Sequence, residues 1–255
     1  MIARTAAPDG YTRLHLPGAD IVALGAVAEA VRRAIGNGSL YAYAAAHPAR
    51  RELRGRGIAY AVPLPDGVTR VVIRHSRHGG LLAPVTGDRF LASTRAPTEL
   101  RTALRLADAG VATPQVVAYA VYPAGPLFRR SDVATREVTG GTDLGTFLAV
   151  PRGVSELRAI LDATAALLRA LEQAGARHPD LNVGNVLIVP HANGSHQALV
   201  LDVDRVVFGR AGDRAIGEAN LRRLLRSAQK QRAAGAVVVS DGDLAALAEA
   251  VGHPA

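Results

Sequence analysis

The sequence predicts an α+β protein of two lobes, a small antiparallel-sheet lobe carrying one helix and then a mainly helical lobe. Three observations carry that expectation. The first half holds four short runs rich in Val, Ile and Tyr, each bounded by Gly, Pro or Asp, with one amphipathic segment between the second and the third. The second half opens on a long segment whose apolar residues recur at helical spacing. At 255 residues, of which 49% are apolar, the chain can bury the core of one large domain or two small ones.

The elements follow in order. "GIAYAVPL" and "VTRVVIRH" read as the first two strands, and "QVVAYAVY" and "DVATREVT" as the next two. Between the pairs, "APTELRTALRLADAG" is a helix: Pro97 suits its first turn, Leu100, Leu104 and Ala107 share a face, and Gly110 stops it. "TGGTDLGTFL", with paired glycines, reads as a flexible connector. "SELRAILDATAALLRALEQAG" is a long helix with Leu157, Ile160, Leu161, Leu168 and Leu171 at helical spacing and Gly175 as its end. A loop, "RHPDLNVGN", precedes a strand "VLIV", a polar turn "PHANGSH" and a strand "ALVLDV". A basic helix, "EANLRRLLRSAQKQR", and a short one, "DLAALAEAV", close the chain. The expected division is an N-terminal, helical extension over 1–39, a first lobe over 40–139 and a second over 140–255.

Composition excludes several classes. The apolar runs are broken by Asp and Arg well before the roughly 20 uncharged residues of a membrane-spanning helix. Pro8, Asp9 and Gly10 interrupt any signal-peptide core, so the expected location is cytoplasmic. With no cysteine, disulfides and thiolate metal sites are out. The formal charge of +8 comes almost wholly from arginine, Lys230 being the one lysine. A GC-rich genome produces that bias; so does an anionic partner such as a phosphorylated glycolipid or an acidic membrane surface. Aromatics at 4%, without Trp, speak against nucleic acid, which asks for stacking platforms beside the charge.

The chemistry concentrates in "RHPDLNVGNVLIV" and in the Asp of "LDVD". Phosphoryl transfer from ATP needs one carboxylate to orient the attacking hydroxyl, and an amide oxygen with a second carboxylate to hold magnesium on the phosphates. Asp180, Asn185 and Asp202 supply that inventory. Asn182 and Gly184, as turn formers, allow the loop to fold back so that Asp180 and Asn185 converge. A loop with no catalytic role accounts for the same residues taken alone.

Taken together, "GRGIAY", "VVIRHSRHGGLL", "TELRTALRLADAGVATPQVVAY", "HPDLNVGN", "LDVDR" and "NLRRLLRS" resemble the protein kinase-like superfamily. Within it they are most similar to the bacterial lipopolysaccharide kinases that act on 3-deoxy-D-manno-octulosonic acid (Kdo). The resemblance runs from about Gly55 to about Gln231. It implies a two-lobed protein kinase-like fold with ATP and Mg²⁺ bound between the lobes. It further implies Asp180 as catalytic base, Asn185 and Asp202 as metal ligands, and Gly55, Gly57, Arg74, Glu99, Glu137 and Val138 as the nucleotide-binding residues. Arg74 stands where most kinases place a strand lysine, and Glu99 would be its partner from the helix.

Plainer readings stand beside these. Gly55 and Gly57 suit a turn, Arg74 a strand-end charge, Glu99 a solvated helix face, and "RHGG" at 77–80 either a strand cap or the acceptor site. "LDVD" lacks the Phe and Gly of protein kinases, and the stretch from Asp202 to the basic helix leaves no room for a peptide-docking segment. The acceptor should therefore be a small molecule or a lipid-linked sugar rather than a protein; the resemblance implies a Kdo-bearing lipid A precursor, phosphorylated on its 4-hydroxyl at the cytoplasmic face of the inner membrane. Peripheral contact with anionic lipid would run through the basic helix, and no nucleic acid or obligate protein partner is expected. A core heptose, a small hydroxylated metabolite, or non-catalytic binding of anionic lipid are the alternatives.

Overall fold

The computed structural model describes residues 6–36, 38–54, 57–75, 90–91, 95–126 and 128–252. The chain divides into two compact units, one of Met1–Arg101 with Gln115–Glu137, the other of Thr102–Pro114 with Val138–Ala255.

The first unit is built on an antiparallel sheet of β1 (Tyr11–Leu16), β2 (Ala19–Leu24), β3 (Arg51–Arg54), β4 (Ile58–Pro63), β5 (Arg70–His75), β6 (Phe90–Leu91), β7 (Val116–Pro123) and β8 (Phe128–Arg136). Their spatial order is β1-β2-β7-β8-β5-β4-β3, with β6 pairing β8. Alternation along each strand decides what each face carries. On β5, Val71 and Ile73 are buried on one face, packed with Tyr60, Val62, Ala118, Ala120 and Ala134 beneath helices α1 (Ala28–Ile35) and α2 (Leu40–Ala46). Val72 and Arg74 therefore project from the other face.

Residues before 40 depart from the expected helical extension. Beside α1 they form the β1–β2 hairpin, which continues the sheet past β7 and buries Ile21, Val22 and Ala23. Charges obscure its alternation in the sequence: Arg13 and His15 face Asp20 across the pair, and Arg13 hydrogen-bonds it.

Helix α3 (Ala96–Asp108) begins in the first unit and ends in the second. The second unit continues with β9 (Thr142–Asp143), α4 (Leu144–Leu148), α5 (Val154–Gln173), β10 (Ala176–Arg177), β11 (Val186–Pro190), β12 (His196–Val200), β13 (Val207–Phe208), α6 (Arg214–Ala233) and α7 (Asp241–Val251). The "TGGTDLGTFL" connector is ordered rather than flexible. Thr142 and Asp143 pair with Ile188 and Leu187, and Asp143 then caps α4 by accepting from the Thr146 N–H at 3.0 Å. Gly141 is there for space, since a Cβ would come within 2.8 Å of Leu187 Cδ2.

Helix α5 buries Ile160, Leu161, Leu168 and Leu171. It ends at Gly175, whose φ of 62° favours glycine and whose missing Cβ lets the carbonyls of Gly209 and Arg210 approach. The Gly209 N–H donates to the Gly175 carbonyl at 2.8 Å, and the β10–β13 pair follows. That anchor sets the start of the loop that holds the site.

Candidate active site

The loop from His178 to Asn185 is tied down from three directions. His178, 1% exposed, donates its backbone N–H to Asn220 Oδ1 of α6 at 2.9 Å, and Asn220 Nδ2 donates to the Ala176 carbonyl at 2.9 Å. The ring spans the other side. Its Nδ1 accepts from the Asp180 N–H at 3.3 Å, so its Nε2 carries the proton that faces the Leu201 carbonyl at 3.0 Å. Leu181 and Val183 are fully buried, and the Val183 N–H donates to Ser227 Oγ of α6 at 3.3 Å.

The amides of the loop serve its own backbone. Asn182 Nδ2 and Asn185 Nδ2 both donate to the Asp180 carbonyl, at 2.8 and 3.1 Å, and Asn182 Oδ1 accepts from the Gly184 N–H at 2.9 Å. This is how a five-residue separation closes up. The Asn185 carbonyl in turn accepts from the Leu201 N–H at 2.9 Å, which places Asp202 in the next residue along. Asp202 has φ 55° and ψ 47°, the one non-glycine residue with positive φ among those described. Left-handed backbone costs roughly 1–2 kcal/mol for most residues and least for Asp and Asn; such strain is a mark of functional positions.

The structure thus brings Asp180, Asn185 and Asp202 into one neighbourhood. An amide oxygen and a carboxylate are the hard donors that Mg²⁺ takes, usually one or two from protein and the rest from phosphates and water. Asn185 fits that role because its Nδ2 is engaged by the Asp180 carbonyl, which leaves Oδ1 as the end presented away from it. Among the described residues no group of three or more His, Cys, Asp or Glu is placed to hold a metal by itself.

In the first unit, Arg74 Nη2 donates to Glu99 Oε1, and Glu99 is only 4% exposed. The solvated-face reading of Glu99 does not survive that burial. Glu137 follows β8, its N–H donating to the Arg70 carbonyl at 3.0 Å. Its carboxylate accepts from Arg51 at 2.7 Å and Arg70 at 2.6 Å. Burial works against ionisation of that carboxyl, yet the two guanidiniums hold it below the usual carboxylate range. Both the side chain and the N–H of Glu137 are thus engaged within the first unit. The Val138 carbonyl accepts from the Gly141 N–H at 3.2 Å. Gly57 immediately precedes β4, whereas Gly55 and the "RHGG" stretch at 77–80 lie outside the described residues.

Two arginines that the sequence reading did not single out converge on Asp180. Arg223 of α6 donates to Oδ1 at 3.0 Å, and Arg205, from the turn after β12, donates to Oδ2. Part of the basic helix α6 therefore meets the loop. Asn220, Arg223 and Ser227, spaced three and four apart, form one stripe against the loop, and that spacing was the signal available in the sequence.

The sequence profile of the lipopolysaccharide kinase (Kdo/WaaP) family matches residues 44–250. The chain belongs to that family. Similar proteins include the 3-deoxy-D-manno-octulosonic acid kinase of Stenotrophomonas maltophilia (strain K279a), 32% identical over 201 residues, 77% of this chain and 76% of that one. Another is the 3-deoxy-D-manno-octulosonic acid kinase of Vibrio vulnificus (strain YJ016), 29% identical over 197 residues, 76% of this chain and 78% of that one. Among solved structures, "WaaP in complex with acyl carrier protein" superimposes with a TM-score of 0.56 at 20% identity, over 86% of this chain and 85% of that one, which shows a shared fold. The α+β, protein kinase-like architecture expected from the sequence is thus the observed one. As a lipopolysaccharide kinase family member the chain is an ATP-dependent phosphotransferase. The profile begins after the β1–β2 hairpin and α1, so those elements lie outside the matched span.

Proposed function

We propose that this chain transfers the γ-phosphoryl group of ATP to the 4-hydroxyl of a Kdo residue on a lipid A precursor. The observation that carries the reading is the hydrogen bond from the Leu201 N–H to the Asn185 carbonyl, which sets Asp202 beside a loop already closed on Asp180. Its support from relatives is that chains named Kdo kinase align over about three quarters of this one.

Asp180 would accept the hydrogen bond of the acceptor hydroxyl, orient it for attack and take its proton late. Asn185 and Asp202 would hold Mg²⁺, which when bound neutralises charge on the phosphates. Arg74, kept in place by Glu99, would present its forked N–H groups to phosphate oxygens, retaining the charge a lysine supplies but with a broader, planar head. Gly55 and Gly57, with the backbone at Glu137 and Val138, would line the nucleotide. Most of the rate then comes from positioning and electrostatics.

Action at the cytoplasmic face of the inner membrane fits a chain with a net charge of +8 and exposed Arg222, Arg226 and Lys230 along α6, a pattern suited to peripheral contact with anionic lipid. No helix among the described residues is long and apolar enough to cross a membrane.

The test is purified protein with labelled ATP and a panel of acceptors: a Kdo-bearing lipid A precursor, a core heptose and small hydroxylated metabolites. Label on Kdo is the expected result, and Asp180→Asn should abolish it while leaving equilibrium binding of ATP intact. Label on the heptose and none on Kdo overturns the acceptor; an unmodified protein that consumes ATP with no acceptor overturns the reaction.

A further inference from the structure

Neither Arg205 nor Arg223 has a task in the transfer as described, yet both end on the carboxylate that must meet the acceptor hydroxyl. They lie 25 and 43 residues from Asp180 in the chain and arrive from separate elements. Each takes a different oxygen, so neither half of the carboxylate is left to a hydroxyl alone. Stability does not explain the pair, because their side chains are 51% and 45% exposed and ion pairs at that exposure contribute little. Among the described residues each guanidinium spends one N–H on Asp180, leaving the other donors of a planar fork that matches carboxylates two bonds at a time.

We propose that Arg205 and Arg223 form the acceptor subsite for the sugar's own carboxylate, and that its binding draws them off Asp180 to release the base for the reacting hydroxyl. The inference rests on the acceptor reading above and deepens it. An anion held by guanidiniums that touch Asp180 sits beside the base, and on the acceptor side that place goes to a charge carried by the same sugar as the attacking hydroxyl. Kdo meets that condition, with its carboxylate on ring carbon 2 and the 4-hydroxyl two carbons on. The phosphates of a lipid A precursor belong to other sugars, at least one glycosidic bond further from the reacting hydroxyl. A neutral heptose would leave Asp180 bridged, so the same two residues select against it.

The experiment compares the full chain with Arg205→Gln, Arg223→Gln and the double variant, on a Kdo-bearing acceptor and on the same acceptor with its carboxylate converted to the amide. In the parent the amide should raise acceptor KM about 10- to 100-fold, the range of losing hydrogen bonds to a charged group. The double variant should lose a similar factor on the carboxylate and show nearly equal KM for the two acceptors, the two changes failing to multiply. Equal losses by the variants on both acceptors would mean the arginines only hold Asp180, and the proposal falls while the kinase reading stands. A parent that labels heptose and neither Kdo acceptor removes both. Free Kdo titrated calorimetrically into parent and double variant reads the subsite without turnover: weaker binding by the variant is expected, and undiminished binding overturns the proposal.

Discussion

Asn220→Ala is the perturbation that probes the loop most directly. Asn220 is fully buried, its Oδ1 accepting from the His178 N–H and its Nδ2 donating to the Ala176 carbonyl, both at 2.9 Å. Truncation removes two hydrogen bonds and strands one backbone donor and one acceptor in a site that water does not reach. Each stranded group costs about 1–3 kcal/mol, so the pair costs roughly 2–6 kcal/mol by the same principle. Against a usual total of about 5–15 kcal/mol that is a large share. A protein of this length loses roughly 2–4 °C of melting midpoint per kcal/mol, which puts the expected drop at about 4–24 °C. His178 also accepts from the Asp180 N–H, so loosening it moves the base, and kcat should fall with the melting midpoint. Scanning fluorimetry and single-turnover kinetics, with the exposed Arg222→Ala on the same helix as control, read both quantities. A variant that melts within a degree of the parent and turns over at its rate would refute the claim that α6 holds the loop through this side chain.

Two other substitutions address the first unit. Glu99→Gln keeps the shape but removes the charge facing Arg74; the KM for ATP should rise about 10-fold or more, in line with a lost charge-assisted bond, and an unchanged value would place Arg74 outside phosphate binding. Glu137 has its carboxyl held below the ordinary value of 4.5, so its stabilising effect is complete above that pH and lost as the pH falls through the lowered folded value. Melting curves of Glu137→Gln should therefore lie below those of the parent at neutral pH and converge with them in acid, and a gap that widens in acid would contradict the sign.

Much of the architecture was legible locally. Helix α5 and strands β4, β5, β7, β8, β11 and β12 announce themselves through period and punctuation, which depend only on near neighbours in the chain. The hairpin before residue 40 was not, because Arg13, His15 and Asp20 interrupt its alternation and satisfy one another only once the strands pair. The glycines before β9 were misread for a related reason: Gly141 is dictated by the Leu187 side chain, 46 positions further along, and not by a local need for freedom.

The site divides the same way. Asp180, Asn185 and Asp202 could be put forward as a set from the sequence because phosphoryl transfer asks for those chemical types, and "HPDLNVGN" carries the turn chemistry that folds Asn182 and Asn185 back onto the Asp180 carbonyl. Which groups surround that carboxylate was settled only in three dimensions. Arg205 and Arg223 sit among 29 arginines in the chain, and the spacing of Asn220, Arg223 and Ser227 marks a shared helix face without saying what that face meets. Asn220 and Arg223 acquire partners because α6 docks its 220–223–227 stripe against a loop some forty residues earlier, and Arg205 because the turn after β12 returns to the same loop; a contact of that kind is a property of packing, which no short window of sequence contains.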